Sequence, residues 1–245
     1  MRVAALYDIH GNLPALKAVL KEVEKSNISQ LVVGGDVILG PMPNECLDIL
    51  LKVKIPVSFI KGNCETSVLN IINNKPVNNL SKNILDNIKW TAKKLSQKHI
   101  KFLASWPKII TLKVNGLGNI LFCHATPKSE TENFTRLTPM NKLSTIFNGI
   151  KEQVIVCGHT HMQFDLNVGM YRVLNAGSVG MPFDNRGAYW LIIGQKFDFQ
   201  CTKYNVSKAA NDILKTSYPD AVNFAENNVL NPPSEETMLK VIDKT

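Results

Sequence analysis

The chain has 245 residues, of which 44% are hydrophobic and 20% charged, and this balance excludes an intrinsically disordered protein. Its five scattered cysteines form no C-x-x-C pair, which argues against a secreted disulfide framework and indicates a reducing compartment. The N-terminus has no apolar signal core, and no apolar run approaches the ~20 residues of a membrane-spanning helix. We therefore expect a soluble, cytoplasmic protein without a membrane partner.

The net charge of +8 comes from one part of the chain. Between residues 66 and 124, nine lysines stand against one acid, Asp86, so this segment alone carries +8. Such a segment is either a solvated helix face or a surface that binds nucleic acid. No regular pattern of interleaved aromatic residues favours the nucleic-acid surface, and we favour the solvated face. His99, on the same segment, is expected to be a solvated surface residue.

The first third of the chain alternates short apolar runs with helical patterns. Strands are predicted at Val3–Tyr7, Leu31–Val33 and Val57–Ile60, with helices near Pro14–Lys25 and Pro43–Val53 between them. This order of elements predicts a parallel sheet with right-handed crossovers.

After Glu65 the pattern becomes helical. Apolar residues at 84, 85, 88, 92 and 95 have the spacing of an amphipathic helix, and we predict a helical, Lys-rich, cap-like insertion over residues 66–107. Further strands are predicted at Ile109–Val114, Asn119–Cys123, Val154–Cys157, Tyr171–Leu174 and Ala188–Ile193, and Asn115-Gly116 marks a hairpin turn. Residues 206–245 are predicted to be helical and to cover a sheet face. The whole chain, 1–245, is expected to form one domain.

Side chains that bind metal ions follow five of the predicted strands, at the point where each strand ends. In chain order they are Asp8, His10, Asp36, Asn63, His124, His159 and His161. Because ligands gather at the carboxyl ends of strands in open α/β sheets, we expect these side chains to form one cluster. Two carboxylates, four imidazoles and one carboxamide are enough donors for two divalent ions if one carboxylate bridges them.

Such a pair of metal ions suits phosphoryl transfer. Two divalent ions ~3.5–4 Å apart lower the pKa of a water between them and hold the oxygens of an in-line displacement. Mn, Fe, Zn, Ni and Co all accept mixed oxygen and imidazole ligands, so the residues do not select one ion. Candidate phosphate contacts are Asn12, Arg136 and Arg186, whose amide and guanidinium groups donate hydrogen bonds. For each arginine, the alternative is a surface or ion-paired side chain.

The order of these motifs, from Asp8 to His161, resembles that of the calcineurin-like metallophosphoesterase superfamily: D-x-H, G-D, G-N-H-[DE], H and G-H-x-H. The segments 8–12, 40–45 and 175–180 are similar to the small YfcE-like bacterial and archaeal phosphoesterases. The resemblance implies a four-layer α/β/β/α sandwich with a dinuclear site at the sheet edge.

The resemblance also implies how the ligands divide between the ions. Asp8, His10 and His161 would hold one metal ion, Asn63, His124 and His159 the other, and Asp36 would bridge the two. Asp36, Asn63 and His124 are also expected to take part in catalysis.

Cys64 departs from the family pattern, which has a histidine after the asparagine ligand. In the superfamily that histidine stabilises or protonates the leaving group, so its absence favours phosphodiesters over monoesters. Cys64 itself is either a small packed residue, which we favour, or a nucleophile.

The sequence thus supports one class of function over two others. We expect a metal-dependent phosphodiesterase acting on a small phosphoester or nucleotide, with a nucleotidase or a dinucleoside polyphosphate hydrolase as the alternative. A protein-binding scaffold on the same fold would be favoured by lost ligands, and none of the seven is substituted. A nucleic-acid-binding module built on the lysines ranks last. Nothing indicates an oligomeric state.

Overall fold

The computed structural model describes residues 1–77 and 80–242, so residues 78–79 of the predicted insertion and 243–245 of the predicted C-terminal helices lie outside it. Its strands are β1 (Val3–Leu6), β2 (Gln30–Val33), β3 (Val57–Phe59), β4 (Ile109–Val114), β5 (Gly118–Cys123), β6 (Val154–Cys157), β7 (Phe164–Val168), β8 (Tyr171–Asn175), β9 (Ala188–Ile193) and β10 (Phe197–Thr202). Its helices are α1 (Leu13–Lys25), α2 (Pro43–Leu50), α3 (Asn63–Ile72), α4 (Lys82–Lys94), α5 (Gln97–Ala104), α6 (Met140–Phe147), α7 (Val206–Leu214), α8 (Ala221–Phe224), a π-helical turn (Ala225–Leu230) and α9 (Glu235–Ile242). Across these described residues, no helix combines the length and apolar character needed to cross a bilayer.

Within the described residues the strands form two mixed sheets, of order β10-β9-β1-β2-β3 and β4-β5-β6-β8-β7. β1, β2 and β3 are parallel, as predicted. β4 and β5 form the antiparallel hairpin predicted at Asn115-Gly116. The sequence analysis missed β7 and β10, which are both edge strands. In both strands, polar residues such as Asp165 and Asp198 interrupt the apolar pattern, which makes it weak.

The local sequence explains where α1 begins and which face it buries. The Asn12 side chain accepts a hydrogen bond from the Ala15 amide at 3.2 Å, and a proline occupies the first turn. Apolar residues at helical spacing, including Leu16, Val19 and Val23, are buried on one face. α1 therefore covers the first sheet and leaves the loop before it at the carboxyl end of β1.

Three apolar cores show that the molecule has four layers. Tyr7 and Leu191 of the first sheet meet Phe122 of the second in the core between the sheets. Helices α1 to α5 pack on the outer face of the first sheet, and α6 packs on the outer face of the second through residues such as Phe147. The predicted α/β/β/α sandwich is confirmed.

The two helical segments are arranged differently from the prediction. Ile88 of α4 and Leu103 of α5 belong to the same core as α1, so the expected cap is part of the outer helical layer. Within the described residues, the helices after residue 205 do not cover a sheet face, because other helices already occupy both outer faces. Their buried side chains, including Tyr218 and Phe224, form a separate apolar cluster. That cluster packs against Met42, Trp90, Met181, Tyr204, Val206 and Leu230.

The prediction that His99 is a solvated surface residue is wrong. The residue is only 5% exposed. Its Nδ1 lies 2.9 Å from the Asn44 side-chain oxygen and its Nε2 lies 3.0 Å from Asp48 Oδ1. His99 therefore joins α5 to α2, a contact across more than fifty residues of sequence that the lysine-rich surroundings do not indicate.

Candidate metal centre

The structure brings all seven predicted ligands to one edge of the sheets, on the segments that directly follow β1, β2, β3, β5 and β6. Among the described residues, three sets of side chains have donor atoms within 4.8 Å of one another. They are Asp8 with His10 and His161, Asp36 with His124 and His159, and His10 with Asp36 and Cys64. The predicted clustering at strand ends therefore occurs.

The backbone at the ligands is strained. Asp8, His10, Asp36, His159 and His161 all have left-handed φ angles, between 46° and 68°. Residues other than glycine rarely adopt this region, and each costs on the order of 1–3 kcal/mol. Two adjacent loops hold each other in this conformation, because the His10 amide donates to the Asp36 carbonyl at 2.9 Å.

Asp8, His10 and His161 form one half of the cluster. The Nε2 atoms of the two histidines are 3.2 Å apart. Asp8 Oδ1 lies 3.5 Å from His161 Nε2 and 4.0 Å from His10 Nε2. Three donor atoms thus face one point.

Asn63, His124 and His159 form the other half, with Asp36 between the halves. The Asn63 side-chain oxygen lies 3.0 Å from His124 Nε2 and 3.0 Å from His159 Nδ1. Asp36 Oδ2 lies 3.5 Å from His124 Nε2 and 3.9 Å from His10 Nε2. This position suits a carboxylate shared by two ions.

Several details fit a bound cation. Asp8 Oδ1 is fully buried and has no hydrogen-bond partner among the described residues. The side-chain oxygen of Asn63 also faces hydrogen-bond acceptors such as His159 Nδ1. Only if the amide is rotated, so that its nitrogen takes the place of the oxygen, does it form hydrogen bonds there. In addition, Nδ1 of His10, His124 and His161 each lies 2.8–3.1 Å from a backbone carbonyl. When Nδ1 donates to that carbonyl, the lone pair on Nε2 is directed into the cluster, as metal-binding histidines require.

Burial and charge set the protonation of the histidines when no ion is bound. Burial lowers the pKa of His124, but the carboxylates of Asp36 and Asp8 outweigh it and raise that pKa to about 10. The pKa of His159 is lowered to about 4, first by burial and then by repulsion from His124. A proton on His124 thus offsets the charge of Asp36 until a cation replaces it.

Cys64 and Glu65, the two residues that follow Asn63, hold Asp36 in place. The Cys64 amide donates to Asp36 Oδ1 and the Cys64 thiol to Asp36 Oδ2, both at 2.9 Å. Burial and the neighbouring carboxylates raise the pKa of this thiol well above its usual value, so it stays neutral, which favours the packed residue over a nucleophile. Glu65 accepts hydrogen bonds from the amides of Asp36, Val37 and Gly62 at 2.8–2.9 Å. The sequence analysis missed this role, and its only signal was the acidic position of the third motif.

The loop over residues 175–180 buttresses the ligands. Ser178 Oγ donates to the Asp8 carbonyl at 2.8 Å, and Asn175 Nδ2 donates to the Gly158 carbonyl at 2.7 Å. Gly158 itself has no room for a Cβ atom beside the Asp8 carboxylate. The similarity of this segment to the phosphoesterases therefore reflects support of the metal-binding loops.

The three predicted phosphate contacts do not meet at this cluster. The prediction for Asn12 is wrong, because its side chain is buried, caps α1 and donates to the Gly180 carbonyl at 2.9 Å. Arg136 forms an ion pair with Glu235 of α9. Arg186 lies beside a cavity that none of the seven ligands lines, and it contacts Asn231 at 3.4 Å. For both arginines the ion-paired or surface alternative describes the structure.

The fold and the ligand cluster define a metal-dependent hydrolase. Residues 1–195 match the calcineurin-like phosphoesterase superfamily domain, and the chain belongs to this superfamily. It is 29% identical over 246 residues to uncharacterized protein MJ0912 of Methanocaldococcus jannaschii, covering 89% of this chain and 94% of that protein.

Two crystal structures share the fold. Hypothetical protein PH1004 from Pyrococcus horikoshii aligns with a TM-score of 0.79 at 18% identity, over 91% of this chain and 97% of that one. A metallophosphoesterase from Sphaerobacter thermophilus aligns with a TM-score of 0.72 at 22% identity, over 94% of this chain and 100% of that one. These two structures share the fold, and the match of residues 1–195 to the family model confirms the resemblance to the superfamily that the sequence indicated.

Proposed function

We propose that this protein hydrolyses a small phosphodiester with two divalent metal ions. One observation carries the proposal: seven oxygen and nitrogen donors converge at one edge of the sheets, with the Asp36 carboxylate between two sets of them. Asp8, His10 and His161 would hold one ion and Asn63, His124 and His159 the other. The mixed donors suit Mn, Fe, Zn, Ni or Co.

The bound ions would supply Lewis acidity toward the phosphoryl oxygens and an activated water. The protein's own part is to fix the donors. Backbone carbonyls orient the rings of His10, His124 and His161, and the amide and thiol of Cys64 hold the Asp36 carboxylate. Such fixed donors lose little free energy in reorganisation when charge develops on the substrate.

Cys64 is the reason for favouring a diester. Its neutral thiol donates to Asp36, so it is a poor proton donor for a leaving alcohol. Esters with poor leaving groups depend most on such a donor. The members of the superfamily that keep the histidine have this donor, whereas this chain does not.

A nucleotidase or a dinucleoside polyphosphate hydrolase is the second candidate. The specific observation in its favour is a small cavity beside His124 whose lining includes Lys108 and Lys128. Lys108 pairs there with Glu130 at 3.0 Å, so the Lys128 ammonium carries the net positive charge that would attract a substrate with several phosphates. A scaffold without activity is disfavoured, because such a protein has no need of seven converging donors.

The test compares bis(p-nitrophenyl) phosphate with p-nitrophenyl phosphate, using chelator-stripped protein with and without added Mn²⁺. We expect hydrolysis of the diester only with Mn²⁺, and its loss in Asp36→Ala. Because Ala is strained at the left-handed φ of Asp36, Asp36→Asn serves as a second variant that tolerates this backbone. Asp165→Ala, which removes an exposed aspartate paired with Arg172, is the matched control.

Each outcome of this test has one meaning. Turnover of the diester that needs both Mn²⁺ and Asp36 supports the proposal. Faster turnover of the monoester would favour the second candidate, as would turnover of a diadenosine polyphosphate offered as a third substrate. Turnover that persists in chelator, or in both Asp36 variants, would overturn the two-metal assignment.

A further inference from the structure

A second feature beside the metal centre points to the kind of ester that binds there. His161 forms one wall of a cavity of about 150 Å³. We call this cavity the Phe183 pocket. Its other lining residues are Met162, Gln163, Phe183, Asp184, Asn185, Tyr189 and Glu235. Aromatic rings, carboxamides and carboxylates therefore lie next to His161, one of the predicted metal ligands.

Phe183 is an aromatic surface fixed to a metal ligand. Its ring centroid lies 5.4 Å from that of His161, with an angle of 24° between the planes. The carbonyl of Met181, two residues earlier, accepts a hydrogen bond from Nδ1 of the same histidine at 2.8 Å. Phe183 is nevertheless only half-buried, so part of its ring is open to the pocket. A flat ring bound there would lie beside the first metal ion.

Asp184 stands out by its backbone. It is left-handed, with φ 70°, like five of the metal ligands. The other described non-glycine residues with positive φ are Asn27 and Asn74, at the ends of helices. Strain of this kind persists only where the surroundings hold it, and it concentrates at functional sites. Here the Asp184 amide donates to the Pro233 carbonyl at 2.8 Å, and Asn185 donates to the Asp184 carboxylate at 2.8 Å.

The charges around the pocket select against a second phosphate. Arg136 neutralises the Glu235 carboxylate, whereas Asp184 is paired with no cation in the described part of the chain. A carboxylate accepts hydrogen bonds and repels anions. On the opposite flank, the cavity beside His124 is lined by Lys108, which Glu130 neutralises, and by Lys128, whose charge is left over.

We propose that the Phe183 pocket binds the base of a nucleoside phosphodiester, an inference that rests on the proposed function. The base stacks on Phe183, and its exocyclic amino group donates to the Asp184 carboxylate. Both groups are held by the same short loop, whose Met181 carbonyl orients His161. The pocket thus aligns the nucleoside with the metal ions.

The experiment compares two diesters with the same leaving group. They are methyl p-nitrophenyl phosphate and the p-nitrophenyl ester of adenosine 5′-monophosphate, and the readout is the ratio of their kcat/KM values. If a pocket variant also disturbs His161, both esters lose the same fraction of kcat/KM, and this loss cancels in the ratio. Phe183→Leu keeps an apolar side chain but removes the ring, and Asp184→Asn removes the charge while tolerating the left-handed backbone. Phe197→Leu, which replaces a phenylalanine stacked on Arg172, is the matched control.

We expect the wild-type protein to prefer the adenosine ester, and Phe183→Leu to lower the preference about tenfold, as stacking of one base on an aromatic side chain predicts. Asp184→Asn should lower it as well, and Phe197→Leu should leave it unchanged. An unchanged ratio in both pocket variants would overturn the inference.

The failure of the proposed function can be told apart from the failure of the pocket. If the wild-type protein hydrolyses neither ester, calorimetry of the Mn²⁺-loaded protein with adenosine 5′-monophosphate and with inorganic phosphate decides the matter. If the nucleotide binds more tightly than inorganic phosphate, and Phe183→Leu abolishes this difference, the pocket binds a base although the proposed hydrolysis fails. Equal binding of the two ligands overturns it.

Discussion

Glu65→Gln tests how one buried carboxylate holds the metal-binding loops. Glu65 is fully buried. Its Oε2 accepts from the amides of Asp36 and Gly62 at 2.8 and 2.9 Å, and its Oε1 accepts from the Val37 amide at 2.8 Å. Glutamine keeps this shape but has only one side-chain oxygen, so its NH₂ group must face one of the three donors.

The size of the effect follows from that unpaired donor. A buried N–H without a partner costs about 1–3 kcal/mol. Removing the charge adds little at pH 7, because burial and then repulsion from Asp36 raise the pKa of Glu65 to about 7. We therefore expect the free energy of unfolding to fall by about 2 kcal/mol, which is roughly 4–8 °C in Tm for a chain of this size.

The assay is urea unfolding of the metal-free protein, with Glu24→Gln, an exposed residue of α1, as the control. The pH dependence gives a second readout. The pKa of Glu65 is about 7 in the folded state, above the ordinary value that it has in the unfolded state. Between these two pH values the folded protein keeps the carboxyl proton of Glu65, whereas the unfolded protein has released it. The contribution of Glu65 to stability is thus fully present below this pH range and is lost as the pH rises through about 7. Glu65→Gln should not show this dependence on pH.

Calorimetric titration with Mn²⁺ links this support to function. We expect weaker binding in Glu65→Gln, since the Asp36 backbone loses a fixed partner. Unfolding and Mn²⁺ binding that both match those of Glu24→Gln would refute the view that Glu65 holds the loops.

Three further predictions concern single side chains. Cys64→His should raise hydrolysis of p-nitrophenyl phosphate relative to its diester, because an imidazole donates a proton to the leaving oxygen and a neutral thiol does not; an unchanged ratio would argue against this role. Asp8→Asn should reduce bound Mn²⁺ by about one ion per chain in elemental analysis, since it removes the charge of a buried, unpartnered oxygen. His99→Ala should lower the free energy of unfolding by about 1–3 kcal/mol in urea, because it removes two hydrogen bonds made by a buried ring, and should leave kcat unchanged.

The cluster of ligands could be predicted because its signal is local. Each ligand lies just after a strand, and its chemistry can be read from the residue type. Parallel strands then bring distant segments to one edge, so no contact had to be known in advance. What supports the ligands is not local: Glu65 contacts Asp36 and Val37 across 29 and 28 residues of sequence. Patterns of neighbouring residues carry no sign of such contacts.

The wrong predictions have a similar cause. An amphipathic pattern shows that a helix buries one face, but not what covers it, and the C-terminal helices pack against loop residues such as Met42 and Met181. Asn12 and His99 are polar residues whose partners lie elsewhere in the chain. The missed strand β7 alternates polar residues such as Asp165 and Asn167 with apolar ones over only five positions.

The pairing of β1 with β9 has a consequence for synthesis of the chain. The first ligands directly follow β1. On one side β1 pairs with β9, where Val3 lies opposite Ile193, and β9 emerges from the ribosome about 190 residues later. The carbonyl that orients His161 lies on Met181 and also arrives after the last ligand. We therefore expect all seven metal-binding side chains to have emerged before the segments that orient them. Ordered binding of metal ions should then begin only after most of the polypeptide has left the ribosome.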